Sequence, residues 1–301
     1  MRVSANGLAL EVEDFGPADG EPLVLVMGLG MQLLAWPVGF VEQLVTRGFR
    51  VVRFDNRDIG LSQGFDAAGM PNLVVAAMRH ALGLRVRSAY SLDDMAADTL
   101  ALMDAMGIER AHVCGASMGG MIAQRVALRA PERVKSLTLL MTTSGARHLP
   151  KPTLPVQRAL LARPKDSRDP ASVVEHYVRL YRLIGSPAYR AADDDVRTLM
   201  RASIARSYRP AATARQLVAI AADGDRTPLL RALAVPTHVI HGLADPLIPP
   251  ASGRDLAATI RGATLDLVEG MGHDLPEPLW PRLVDGIATV ARAAGATPRS
   301  H

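Results

Sequence analysis

One stretch limits what this chain can fold into more than any other: Ala111-His112-Val113-Cys114-Gly115-Ala116-Ser117-Met118-Gly119-Gly120. The residues leading into it read as a buried strand, and residues 121–128 read as a helix. Between them lies Gly115-x-Ser117-x-Gly119, the pattern of a nucleophile elbow. A serine on so sharp a strand-to-helix turn takes a strained backbone conformation, and flanking glycines remove the Cβ atoms that would otherwise clash. The turn lifts the hydroxyl clear of the sheet, and the helix behind it offers free N–H groups and a positive dipole end. Ser117 is therefore the candidate nucleophile, with Gly115 and Gly119 as its supporting glycines.

The rest of the chain supplies a sheet for such a turn. Residues 2–15 read as two short strands joined at Asn6-Gly7, a strong hairpin signal. Residues 22–27 form a continuous apolar run, the mark of a strand buried on both faces, and it ends in Gly28-Leu29-Gly30. A helix is expected over 37–47 and a strand over 50–54, closed by Asp55-Asn56-Arg57-Asp58-Ile59-Gly60. Residues 93–106 carry Met95, Leu100 and Met103 at helical spacing, with Ser91 or Asp93 placed to cap them. Residues 134–141 read as a further parallel strand. Strands alternating with helices argue for an α/β fold, a mostly parallel sheet with helices on both faces.

The alternation breaks at residue 146. From there to 230 no strand signal appears, only proline-punctuated helical stretches, four or so, including 171–184, 193–207 and 211–222. It resumes with strands at 237–241 and 264–268 and a closing helix over 279–294, beyond which the terminus reads as frayed. The expected organisation is a core of residues 1–145 and 231–301 with a helical cap of residues 146–230 inserted into it. Tyr177, Tyr181, Ile184 and Leu217 either line a pocket beneath that cap or form its own core, and the core reading is preferred. A smaller insertion, residues 63–91, holds a helix near 72–82 followed by Arg85-Val86-Arg87. It reads either as a second lid element or as a helix packed on the body with solvated arginines, both in preference to a membrane-docking face.

A serine hydroxyl is a weak nucleophile until a neighbouring base takes its proton, and that base must be held in one tautomer. On a parallel-sheet plan the partners follow in the order serine, acid, histidine, each just beyond a strand's C-terminal end. Asp245 follows the strand at 237–241, and His273 follows the strand at 264–268. His273 is the expected base and Asp245 its orienting acid; Asp274 and Glu269 also neighbour His273, but nothing places either behind the imidazole. The oxyanion needs two fixed N–H donors. The amide of Met118 is one, and Leu29 supplies the other, Gly28 being the supporting residue that lets the Leu29 amide turn inward. Hydrolysis by such a site needs neutral His273, so its rate rises toward mildly alkaline pH.

Composition excludes several other classes. The net charge of +4 comes almost wholly from arginine, and arginines and acids are interspersed, so no nucleic-acid footprint is expected. One cysteine, Cys114, permits no intrachain disulfide and reads as a small buried hydrophobe. His238 and His241 alternate along a strand without a third ligand, so no metal site is expected. The most apolar run, residues 23–36, is interrupted at Gly28, Gly30 and Gln32 and is too short to span a bilayer, so no stable membrane insertion is expected. The first seven residues lack the apolar core of a signal peptide, which makes the cytoplasm the expected location.

With these residues in place, the chain resembles the α/β-hydrolase superfamily over nearly its whole length. The match rests on Met27-Gly28-Leu29-Gly30, on the stretch from Arg53 to Ser62, on the elbow, and on Gly242-Leu243-Ala244-Asp245 with Gly270-Met271-Gly272-His273. Within the superfamily it is similar to the serine esterase branch that includes aclacinomycin methylesterase, which shares Met-Gly in the oxyanion loop and a following Trp-Pro, here Trp36-Pro37. More typical members carry glycine where this chain has Asp58. The resemblance implies serine-ester chemistry without a cofactor, on a small-molecule ester; a cap rich in apolar residues and short of charge partners points to a medium apolar group on it. Thioesterase, lactonase, amide hydrolase or cofactor-free perhydrolase activity fits the same residues, as does a slow-turnover binding protein of this fold. Nothing in the sequence sets an oligomeric state.

Overall fold

Asn6 and Gly7 both have positive φ (+50° and +72°), the backbone of a tight hairpin turn, and they fold β1 (Arg2–Ala5) back on β2 (Leu8–Phe15). The computed structural model describes residues 1–296; residues 295 and 296 are still helical, and the rest of the terminus expected to fray lies outside the described residues. Six more strands complete the sheet: β3 (Glu21–Val26), β4 (Phe49–Phe54), β5 (Ala111–Ala116), β6 (Val134–Leu140), β7 (Thr237–Gly242) and β8 (Thr264–Val268). Their order is β1-β2-β4-β3-β5-β6-β7-β8. β1, β2 and β4 pair antiparallel, and every pairing from β4 to β8 is parallel.

Apolar runs without alternation require cover on both faces, and β3 shows how it is provided. Val24 and Val26 enter one apolar layer while Leu23 and Leu25 enter the other. On the second side lie α1 (Val38–Thr46) and α11 (Trp280–Ala296), contributing Phe40, Val41, Leu44, Leu283, Val284 and Ile287. On the first lie α3 (Leu92–Ala105), α4 (Met118–Arg129) and α10 (Ala251–Thr259), with Met95, Leu102, Ile122, Val126 and Leu256. Ser91 caps α3 through a reciprocal bond with Asp94, the capping box that its spacing allows. Cys114 is fully buried, and burial pushes its thiol pKa up, as suits an inert core residue.

Between β6 and β7 run five helices: α5 (Leu154–Leu161), α6 (Pro170–Ile184), α7 (Asp193–Arg206), α8 (Pro210–Asp223) and the single turn α9 (Thr227–Leu230). The two ends of this excursion meet. Arg226 N donates to Ser144 O at 2.9 Å, and a Cβ on Gly145 would stand 2.3 Å from Gly224 O. The buried Arg226 guanidinium also reaches Gln124 of α4, at 2.9 Å, and Thr143 O, at 2.7 Å. The 63–91 segment forms α2 (Leu73–Ala81), which rests on α8 through a small cluster of Ala76, Val86 and Val218.

Candidate active site

Leu29, Ser117, Asp245 and His273 each sit just beyond the C-terminal end of a parallel strand, where the crevices of such sheets open. Ser117 follows β5 at φ +54°, ψ −122°, a conformation that costs a non-glycine residue on the order of 1–3 kcal/mol. Its surroundings hold it there. Ser117 N donates to Leu140 O (3.0 Å), and Thr142 Oγ1 donates to Ser117 O (2.7 Å). The flanking glycines serve close packing: a Cβ on Gly115 would lie 2.2 Å from Gly119 O, and one on Gly119 would lie 2.0 Å from Val26 O.

The fold brings Ser117, His273 and Asp245 into one hydrogen-bonded row. His273 Nε2 lies 3.0 Å from Ser117 Oγ, and His273 Nδ1 lies 2.7 Å from Asp245 Oδ2. Since a carboxylate only accepts, the Nδ1 proton points at Asp245 and leaves Nε2 free to accept from the serine. Asp245 is itself fixed, its Oδ1 accepting from the amides of Leu247 (2.9 Å) and Ile248 (2.8 Å). Behind it, His241 Nε2 donates to Ile248 O at 2.8 Å, and burial pushes the His241 pKa down. A neutral His241 leaves the Asp245 charge to His273. The two other acids near His273 point elsewhere. Glu269 is exposed, and Asp274 accepts from both the amide and the hydroxyl of Ser186, its pKa raised by burial. Ser186 also takes the Gly272 amide on its Oγ (2.8 Å), so this part of the α5–α9 excursion clamps the loop that carries His273.

The loop expected to supply an oxyanion donor follows β3. Among the described residues the amides of Leu29 and Met118 find no protein acceptor, whereas Gly30 N donates to Gln216 Oε1 at 2.9 Å and Met31 N to Gly28 O at 3.3 Å. Gly28 is required by proximity: a Cβ there would stand 3.1 Å from Ser117 Cβ and 3.3 Å from Ala116 O. Its φ is not positive, so the expected reason, a freely turning backbone, gives way to close approach. Asn56 Nδ2 donates to Met27 O at 2.8 Å and fixes the loop's start.

Sequence reasoning missed how deeply the α5–α9 excursion is tied into this loop. Gln216 of α8, fully buried, bridges Gly30 N and Arg57 O. Gln32 Nε2 donates to Ser203 O (2.7 Å) and Ser207 O (2.9 Å). Asp55 accepts from the amides of Leu33 and Leu61 and from Arg206 of α7; burial raises its pKa against those three donors. Asp58 has φ +73°, which explains why glycine suits that position. Here the carboxylate takes Arg215 of α8 on both oxygens (2.6 and 2.8 Å), with Tyr90 Oη and Phe65 N. Burial pushes the Asp58 pKa up, but these partners outweigh it and hold the group below its ordinary value. None of these long-range pairs leaves a periodic trace in sequence. The one available signal was the run of three charges and an amide in residues 55–58, too dense for a solvated loop.

Of the four cap residues named from the sequence, Tyr177 and Tyr181 pack on Val174, Val178 and Met200. Tyr177 also lines a small cavity, about 50 Å³, against Gly30, Met200 and Thr213. Ile184 O accepts the His273 amide at 2.7 Å, and Leu217 is half-buried.

Comparison with known proteins shows the family to which this fold belongs. The family model for the alpha/beta hydrolase fold matches residues 21–277. Rhodomycin D methylesterase of Streptomyces peucetius is 30% identical, the alignment covering 97% of this chain and 98% of that protein. The rhodomycin D methylesterase of Streptomyces sp. (strain C5) is 28% identical with the same coverage. Among solved structures, the enol-lactonase from Burkholderia xenovorans LB400 superposes with a TM-score of 0.74 at 25% identity, covering 97% of this chain and all of that one.

Proposed function

The chain belongs to the α/β hydrolase fold family, and on that footing we propose that it is a serine carboxylic-ester hydrolase acting through Ser117, His273 and Asp245. The observation that carries this reading is the unbroken row from Asp245 Oδ2 through His273 to Ser117 Oγ, built on a strained turn. Two relatives of nearly full-length similarity named as methylesterases support the choice of an ester bond.

Ser117 Oγ attacks the ester carbonyl as His273 Nε2 takes its proton, and Asp245 stabilises the imidazolium. The charge on the carbonyl oxygen is held by the Leu29 and Met118 amides, which are free to donate. Collapse breaks the bond to the alcohol, which leaves with the proton from His273. Water then loses a proton to His273, attacks the acyl-enzyme and releases the acid, returning the proton to Ser117. Residues 146–230 act as a cap, and the apolar residues in which that cap is rich favour a medium apolar ester. No step needs a cofactor.

The test is hydrolysis of p-nitrophenyl esters of increasing acyl length by the wild type and by Ser117→Ala. The reading expects multiple turnover, preference for medium apolar acyl groups, and loss of about 10⁴-fold or more in the variant. Turnover that survives the substitution would overturn Ser117 as nucleophile. Absence of multiple turnover on every ester would favour the binding-protein alternative.

A further inference from the structure

The helix α2 leaves its outer face bare. Val74, Met78 and Leu82 recur every fourth residue along one stripe, exposed by 73%, 56% and 67%, and Met70, Val75 and Leu84 extend the patch. The inner face is thin by comparison, with Ala76 as the only buried residue of α2. An apolar stripe of this size on a water-facing helix marks a surface that meets something.

Charge narrows what that something is. Residues 67–92 contain Arg79, Arg85 and Arg87 and no aspartate or glutamate. Three of the chain's four net positive charges therefore sit in this one segment, and the remainder is nearly balanced. Beside the stripe, a groove of about 600 Å³ between α2 and α8 is lined by Asn72, Val75, Arg79, Val86, Arg87 and Arg215. Arg215 is committed to Asp58, but the Arg87 side chain has no protein partner among the described residues and Arg79 has only the Arg85 carbonyl. A second copy packed face to face on this patch would set three arginines against three, with no acid in the segment to separate them. An anionic bilayer meets both features, since apolar side chains enter the acyl boundary while arginines lie at the phosphate level.

We propose that the α2 segment is a peripheral docking surface for anionic phospholipid bilayers. Val74, Met78 and Leu82 are the inserting residues, and Arg79, Arg85 and Arg87 the electrostatic contacts. No described helix is long and apolar enough to cross a membrane, so the association is interfacial and reversible. It places α2, and through α8 the cap, at a lipid surface. The docking claim is independent of the esterase reading, because its assay needs no turnover.

The experiment is co-sedimentation of the full chain with phosphatidylcholine vesicles, with or without phosphatidylglycerol, at low and high salt. Binding is expected to the phosphatidylglycerol vesicles and to weaken as salt rises. Combined Arg79→Gln, Arg85→Gln and Arg87→Gln substitution weakens it roughly 100-fold, and combined Val74→Ser, Met78→Ser and Leu82→Ser at least tenfold. These side chains are on the surface, and the circular dichroism spectrum should stay that of the wild type. Equal binding to neutral vesicles, absence of binding, or binding unchanged in either variant would overturn the proposal. A concentration-dependent dimer dissolved by the serine variant, with no vesicle binding by the wild type, would assign the face to a second copy and overturn it equally.

Discussion

Replacing Asp245 with asparagine tests the wiring of the site while leaving its shape intact. The outcome follows from which oxygen is already committed. Oδ1 accepts two backbone amides, from Leu247 at 2.9 Å and Ile248 at 2.8 Å, so an asparagine must put its carbonyl oxygen there. Its NH₂ then occupies the place of Oδ2, 2.7 Å from His273 Nδ1. Facing a donor, Nδ1 gives up its proton and the ring takes the other tautomer, with N–H on Nε2 directed at Ser117 Oγ, 3.0 Å away. A base in that tautomer cannot accept the serine proton. The expected loss is about 10⁴-fold in kcat, or about 5 kcal/mol of transition-state stabilisation, with KM little changed. Steady-state kinetics on a p-nitrophenyl ester, with thermal unfolding to show that the variant is folded, makes the measurement. Asp274→Asn is the control: its carboxylate faces Ser186, so kcat should stay within a few-fold of wild type. A folded Asp245→Asn variant within tenfold of wild type would refute the reasoning.

Three further outcomes follow from the same contacts. Gln216→Met removes the acceptor that holds the Gly30 amide and should lower kcat about 10- to 100-fold while KM moves little; a change confined to KM would refute a role in positioning the oxyanion loop. Asp58→Gly relieves a positive φ worth about 1–3 kcal/mol but takes from the buried Arg215 its bidentate carboxylate, leaving it Gly69 O and the exposed Asp66, at about 3–5 kcal/mol, so denaturant titration should show net destabilisation, and a more stable variant would contradict this. Burial pushes the His112 pKa down to about 4, so the unfolded chain binds a proton that the folded chain refuses. Stability present at neutral pH is then lost as pH falls from about 6.5 toward that value, on the order of 2–3 kcal/mol, and urea midpoints that are flat across this window would count against it.

What the sequence revealed and what it hid divide along physical lines. Strands buried on both faces announce themselves as apolar runs, and the elbow, the acid and the histidine are local motifs at strand ends. Ser117, Asp245 and His273 were therefore legible one by one, although their meeting depends on a sheet order that no local pattern encodes. α10 was missed because a lone Leu256, with Ser252 and Gly253, makes its buried face, so the helical period has almost no apolar marks. α5 was missed for a similar reason, since it buries only Val156 and exposes Leu154 and Leu161. Gln216, Arg206 and Arg215 act across more than 150 residues of sequence, and polar pairs at that range carry no periodicity. By sequence the 63–91 segment reads as either a lid or a packed helix. Its helix does pack on α8, but through so small a face that the apolar outer stripe is what stands out.

The central claim is that Ser117 carries the acyl group. The most direct measurement is intact-protein and peptide mass spectrometry after reaction with a fluorophosphonate, which traps an activated serine as a tetrahedral adduct. One adduct per chain is expected, on the peptide containing Ser117, lost in Ser117→Ala and strongly slowed in Asp245→Asn. An adduct on another residue, or none in a folded chain that turns over esters, would contradict it.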